Sequence, residues 1–162
     1  MSKEIESSVQ LRRATHDDAV SIAATLYGSF LAYESSYTPE AFAATVSTPE
    51  QIIERMKEGP IWVALESETI VGTVSVVPKG EALYVRGMAV DPAARGKGIG
   101  RRLLDCAEEF AVQRGCKSLF LSTTPFLTRA ILLYEHYGFQ RTGDGPHDLF
   151  GTPLFTMVKI LS

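Results

Sequence analysis

The sequence is poor in cysteine, with only Cys106 and Cys116 among 162 residues. They form neither a C-x-x-C pair nor a disulfide framework, so an apolar core rather than cross-links must hold the fold. Both read as buried or half-buried thiols in a reducing cytoplasm. No apolar run approaches the roughly 20 residues of a membrane span, and Met1 to Gln10 is polar, with no hydrophobic signal region. Positive charge is also in short supply. Sixteen Lys and Arg stand against nineteen Asp and Glu, for a net charge of −3, which argues against the basic face that generic nucleic-acid binding needs. Any polyanionic ligand therefore requires a local cluster of cations. The three histidines show no metal-ligand spacing, and no repeat or low-complexity tract divides the chain. What remains is 45% hydrophobic and 22% charged, the balance of a globular domain large enough to bury one core.

Periodicity orders the elements. Val9 to Arg13 reads as a strand, and Thr15 caps a helix running to about Gly28, with Asp17 and Asp18 where the helix dipole favours negative charge. Phe30 to Tyr37 is aromatic but broken by Ser35 and Ser36, so a loop is expected. Pro39 to Val46 and Pro49 to Lys57 are short helices opened by proline. Three strand-like runs follow, Ile61 to Glu66, Ile70 to Val77 and Ala82 to Val90, separated by turn residues and expected to be antiparallel neighbours. Leu103, Leu104, Ala107, Phe110 and Ala111 recur at helical spacing within Ile99 to Arg114, which Gly115 closes. Ser118 to Ser122 has the continuous apolar character of a buried parallel strand. Thr128 to Tyr137 is helical, and Phe139 to Thr142 and Leu154 to Ile160 are strands. The pattern predicts a mixed α/β sheet.

The most informative stretch joins the third of those strands to the long helix: Val90-Asp91-Pro92-Ala93-Ala94-Arg95-Gly96-Lys97-Gly98-Ile99-Gly100-Arg101-Arg102. Alternate glycines let a ligand approach the backbone and permit positive φ. The first helical amides then point at an anion, assisted by the dipole. Arg95, Lys97, Arg101 and Arg102 supply the local positive charge that the rest of the chain lacks. A P-loop requires G-x-x-x-x-G-K-[ST], which does not occur. A dinucleotide fingerprint requires G-x-G-x-x-G and an acidic end to the next strand, but here the spacing is G-x-G-x-G and the strand ends in Leu121-Ser122-Thr123-Thr124. Local charge of this kind suits a pyrophosphate; the competing reading is a glycine-rich turn with a solvated basic helix face.

Arg95-Gly96-Lys97-Gly98-Ile99-Gly100 resembles the [RQ]-x-x-G-x-[GA] signature of the GNAT N-acetyltransferase superfamily. Ala130 to Phe139, A-I-L-L-Y-E-H-Y-G-F, resembles that family's later A-x-x-L-Y-E-x-x-G-F segment. The two blocks have the expected order and separation. The resemblance implies a single N-acetyltransferase domain over 1–162, with an α/β sheet of about seven strands, antiparallel early and partly parallel late, and about four flanking helices. It implies acetyl-CoA as cosubstrate, held by Met88, Ala89, Val90, Arg95, Gly96, Lys97, Gly98, Ile99, Gly100 and Arg101. It further implies acetyl transfer to a primary amine of a small molecule or peptide, a cytoplasmic enzyme, and pairing into a homodimer through edge strands. A non-catalytic acyl-CoA sensor is the alternative; the intact loop and Tyr134 weigh against it.

Thioester aminolysis needs a neutral amine, a donor for the carbonyl oxyanion, and a proton for the departing thiolate. Gly87 interrupts its strand, marking either a bulge that frees an N–H or close packing. Tyr134 belongs by pattern to an apolar stripe with Ala130, Leu133 and Tyr137. The resemblance implies that it is the proton donor, a role suited to a phenol with a pKa near 10. Leu127 stands where the family often has asparagine. Glu81 at a strand start is close to where the resemblance implies a base acting through water, with an exposed strand-edge carboxylate as the alternative; Arg86 flanks Gly87, and His147 is the histidine kept as a site candidate. Phe30, Tyr33, Tyr37 and Phe42 supply aromatic surface for an acceptor pocket or for core. The acceptor itself stays open.

Overall fold

The computed structural model describes residues 8–162, so most of the polar Met1 to Gln10 stretch lies outside the described residues. Eight strands form one sheet: β1 (Val9–Arg13), β2 (Ile61–Glu66), β3 (Thr69–Lys79), β4 (Ala82–Val90), β5 (Ser118–Thr123), β6 (Gln140–Arg141), β7 (His147–Leu149) and β8 (Thr152–Ile160). Their order is β1-β2-β3-β4-β5-β8-β6, with β7 paired to β8. All pairings are antiparallel except β4 with β5. Five α-helices flank the sheet: α1 (Ala19–Phe30), α2 (Pro39–Thr45), α3 (Pro49–Met56), α4 (Ile99–Gln113) and α5 (Thr128–Tyr137). The five helices are those read along the chain, one more than the four that the resemblance implies, and the strands exceed the expected seven by one. The extra strand, β7, is three exposed or half-exposed residues without apolar alternation, so no periodic signal announced it.

The central strands are apolar throughout because both faces are covered. In β2, Trp62 and Ala64 enter the core under α4 and α5, while Ile61 and Val63 pack with Ala19, Ile22 and Leu26 of α1 and Ile52 of α3. Leu103, Leu104, Ala107 and Ala111 of α4 are wholly buried, as the i, i+1, i+4, i+8 spacing requires. The segment after α1 departs from the expected loop. Leu31–Ser36 is a 3₁₀ helix, and its aromatics join a small third core in which Tyr37 and Phe126 meet edge to face at 4.9 Å.

Helix starts are fixed locally. The Thr48 hydroxyl accepts the Gln51 N–H while Gln51 Oε1 accepts the Thr48 N–H, a reciprocal cap that sets the position of α3. Asp18 accepts the Thr15 N–H at 2.8 Å and pairs through both oxygens with Arg12. Arg12 holds the Asp18 carboxyl below the usual carboxylate range, chiefly by that hydrogen bond. No helix among the described residues is long and apolar enough to cross a membrane.

Candidate active site

The sheet opens at its centre. Strands β4 and β5 pair only through Ala82, Tyr84 and the Leu83 between them, opposite Ser118 to Phe120. Both strands then continue, β4 to Val90 and β5 to Thr123, without each other. Two cavities flank the split. The first, of about 410 Å³, lies between the end of β4, the glycine loop and α5. The second, of about 330 Å³, lies between β4, the end of β5 and α3. Phe30, Met88, Leu127 and Tyr134 line both.

Gly87 is the hinge of this arrangement. Its φ of +60° lies in the left-handed region, which other residues adopt only with strain. Thr73 pairs with Ala89 but Ser75 pairs with Arg86, so two residues of β4 oppose one of β3. This bulge inverts the strand's facing. Leu83 and Val85 before it enter the α4 side of the core; beyond it Met88 and Val90 do so, and Ala89 crosses to the α1 side. The close-packing reading of Gly87 gives way to the bulge. The Ser29 hydroxyl donates to the Val90 carbonyl at 3.1 Å, whereas the Asp91 N–H returns to Val71 of β3. A strand residue's N–H and C=O point the same way. The Val90 amide, and by alternation that of Met88, therefore faces away from β3 and toward the first cavity.

The glycine loop continues that wall. Gly96 and Gly98 sit at φ of +84° and +75° with open space where a Cβ would stand, and Gly98 caps α4. The first amide to close an α4 hydrogen bond is that of Arg102, to the Gly98 carbonyl. The N–H groups of Ile99, Gly100 and Arg101 thus have no acceptor within the helix. Together with the dipole they form an anion site. A cofactor carrying a pyrophosphate fits these residues, because open space over the loop and orphan amides beneath it occur together.

Of the four loop cations, Arg95 and Arg101 line the first cavity. Lys97 does not: its ammonium donates to Glu66 at 2.7 Å. Arg102 donates to the Val9 carbonyl and ties α4 to β1. Arg129 at the start of α5 lines the cavity instead. No sequence pattern pointed to it, since its proximity comes from how α5 packs. Leu127 lines both cavities as an apolar wall.

Tyr134 sits at the junction, 8% exposed, and burial pushes its phenol up to about 12, with Tyr37 adding to the shift. Tyr137, three residues on, serves packing: its hydroxyl donates to Asp105 at 2.7 Å and the Lys159 ammonium lies over its ring. Glu81 is not brought to this junction. It is exposed at the far end of β4, 3.6 Å from Lys117, and lines neither cavity. His147 is likewise exposed on β7 and lines neither. Of the aromatic group, Phe30 borders both cavities, Tyr33 the first and Tyr37 the second, while Phe42 is core. Arg86 lines the second cavity and pairs with Glu58. Arg55 of α3 lines it too, without any local sequence signal.

The Acetyltransferase (GNAT) family model matches residues 25–139, well over half of the chain. The chain belongs to the GNAT acetyltransferase family. Its curated relatives include the uncharacterized N-acetyltransferase YjgM of Escherichia coli strain K12, 37% identical over 49% of this chain and 50% of that protein. An IAA acetyltransferase of Azospirillum brasilense is 40% identical over 52% of this chain and 58% of its own length. The chain spans about half, or less, of the length of the first curated relatives it matches. Among solved structures, the PaiA N-acetyltransferase of Thermoplasma acidophilum in complex with coenzyme A superposes with a TM-score of 0.80 at 18% identity, covering 95% of this chain and 99% of that one. The ribosomal-protein-alanine N-acetyltransferase of Brucella melitensis gives 0.74 at 25% identity, covering 94% and 99%. These GNAT structures share the mixed sheet and its flanking helices.

Proposed function

We propose that this GNAT chain transfers an acetyl group from acetyl-CoA to a primary amine of a small molecule or peptide, by direct attack of the amine. The supporting observation is the meeting of two cavities at Tyr134, one walled by anion-binding amides and the other by side chains. Acetyl-CoA supplies the acyl group as an activated thioester. Ile99, Gly100 and Arg101 would hold its pyrophosphate through their amides, with Arg95, Arg101 and Arg129 adding charge; the backbone of Met88 to Val90 would align the pantetheine. The amine nitrogen bonds to the carbonyl carbon, the C–S bond breaks, and the thiolate takes a proton. A cleft-facing amide of Met88 or Val90 stabilises the charge developing on the carbonyl oxygen. Tyr134 donates the proton to sulfur; its raised pKa keeps that proton available across the physiological range. The amine's own proton leaves to solvent, since no carboxylate or imidazole of the described residues lines either cavity. A cytoplasmic location and a homodimer paired through an edge strand belong to the same proposal. Size-exclusion chromatography of the full chain tests the dimer. Thiol release from acetyl-CoA across a panel of amines tests the activity: acceptor-dependent release supports transfer, and tight CoA binding without release to any amine supports the sensor reading.

A further inference from the structure

The second cavity is lined by two guanidinium groups, those of Arg55 and Arg86, against one carboxylate, that of Glu58. Arg55 lines it, and the Arg55 guanidinium makes no hydrogen bond or ion pair among the described residues. Its Nη1 lies 3.2 Å from where a Cβ on Gly87 would be, so it sits against the bulge. Arg86 lies on the same wall and already pairs with the one nearby carboxylate, that of Glu58. Burial, and then the charge of Arg86, depress the Arg55 pKa, as expected for two guanidinium groups sharing one carboxylate. The cavity also strands hydrogen-bond donors. The buried Thr123 hydroxyl and the Nε of Arg86 have no hydrogen-bond partner among the described residues, a costly condition for buried polar groups, and the Thr124 hydroxyl has the Tyr37 phenol beside it. A guanidinium fork and hydroxyl donors converging in one cavity match the needs of a carboxylate, which accepts two parallel N–H bonds and further hydrogen bonds. Leu121, Leu149 and Leu154 supply an apolar lining beside them.

We propose that the acceptor is an amino carboxylate, a small amine whose carboxylate docks on Arg55 with the Thr123 and Thr124 hydroxyls, placing its amine toward Tyr134. This rests on the acetyl-transfer reading and narrows its substrate class. The site accounts for the surplus charge and for the unpaired Thr123 hydroxyl.

Matched acceptors test it: free α-amino acids against the corresponding α-amino amides, compared by kcat/KM for thiol release. Wild-type protein is expected to favour the acids by at least about tenfold. Arg55→Gln should lower the acid rates by roughly 10- to 100-fold and leave the amide rates within about twofold, collapsing the preference. Arg55→Lys, which keeps the charge but not the fork, should retain part of it. Unchanged CoA affinity in both variants establishes that they fold. Equal use of acids and amides by the wild type, or an acid preference that survives Arg55→Gln, overturns the proposal. Should neither series be acetylated, the wider amine panel decides the transfer reading, and binding decides the anion site. Melts of CoA-loaded protein should then show stabilisation by the amino acids but not by their amides, and none in Arg55→Gln. Equal stabilisation by acids and amides, or no stabilisation by either, overturns the proposal.

Discussion

The two cavities that meet at Tyr134 are built from different materials. The first is made largely of backbone: the bulged end of β4, two left-handed glycines and the opening amides of α4. The second is made of side chains from α2, α3, β4, the end of β5, β7 and β8. A backbone site binds what is common to every reaction of the family, because amides and a dipole recognise a pyrophosphate whatever else is attached. A side-chain site can differ from member to member without disturbing the fold, which suits the acceptor site proposed for it. Variants that separate the two sites should therefore have separable effects.

The largest effect is expected at the junction. Tyr134→Phe keeps the ring and removes the proton, so kcat should fall by roughly 10²- to 10⁴-fold with little change in acetyl-CoA affinity. A tyrosine that serves only packing would leave kcat near wild type and lower the melting temperature instead. With the phenol at about 12, the proton-donor form persists to well above pH 10. Wild-type kcat should accordingly show no alkaline loss from Tyr134 below about pH 11; a fall near pH 10 that disappears in Tyr134→Phe would argue against the raised value.

Next is the backbone site. Gly98→Val imposes a β-branched residue at φ +75° and projects its side chain into the space over the loop. Strain of about 1–3 kcal/mol adds to the lost approach, so CoA affinity should fall by at least about tenfold in calorimetry, in a protein that remains folded. Arg129→Ala removes one exposed cation from the same cavity and should weaken CoA binding only about two- to fivefold, with the difference shrinking as salt rises. A loss from Arg129→Ala comparable to that from Gly98→Val would mean that charge rather than backbone dominates this site.

The smallest effect lies away from both cavities. Asp18→Ala removes the acceptor of the Thr15 amide and the partner of Arg12, costing about 1–2 kcal/mol near neutral pH. Arg12 lowers the folded-state pKa of Asp18. Its contribution is therefore present above the ordinary carboxylate pKa and is lost as pH falls through the lowered value. The gap in melting temperature between wild type and Asp18→Ala should close in strongly acid buffer while CoA affinity at neutral pH is unchanged; a gap that persists in acid would remove the ionic cause.

The same contrast governs what could be read before folding. The glycine loop is legible because its features are local: the amides left without a helical acceptor belong to consecutive residues, Ile99, Gly100 and Arg101. Gly87 announced a break in its strand, and the register shift shows why, since only a bulge carries Met88 and Val90 to the face they occupy. Lys97 was grouped with the loop cations by position, yet Glu66 of a neighbouring strand draws its side chain aside. Glu81 stands at the start of a strand where the resemblance implies a base, but it occupies the opposite end of β4 from the bulge and both cavities. Arg55 and Arg129 left no trace in the sequence. Each reaches its cavity through the packing of a helix against a distant element, which no spacing encodes.

The division of labour between the cavities can be observed directly by titrating ¹⁵N-labelled protein with CoA and following backbone amide shifts. The largest changes should fall on Met88 to Val90 and on Gly96 to Arg101, with those of Arg55, Thr123 and Thr124 nearly still. Large shifts around Arg55 and Thr123, with the glycine loop unmoved, would contradict a backbone-built cofactor site.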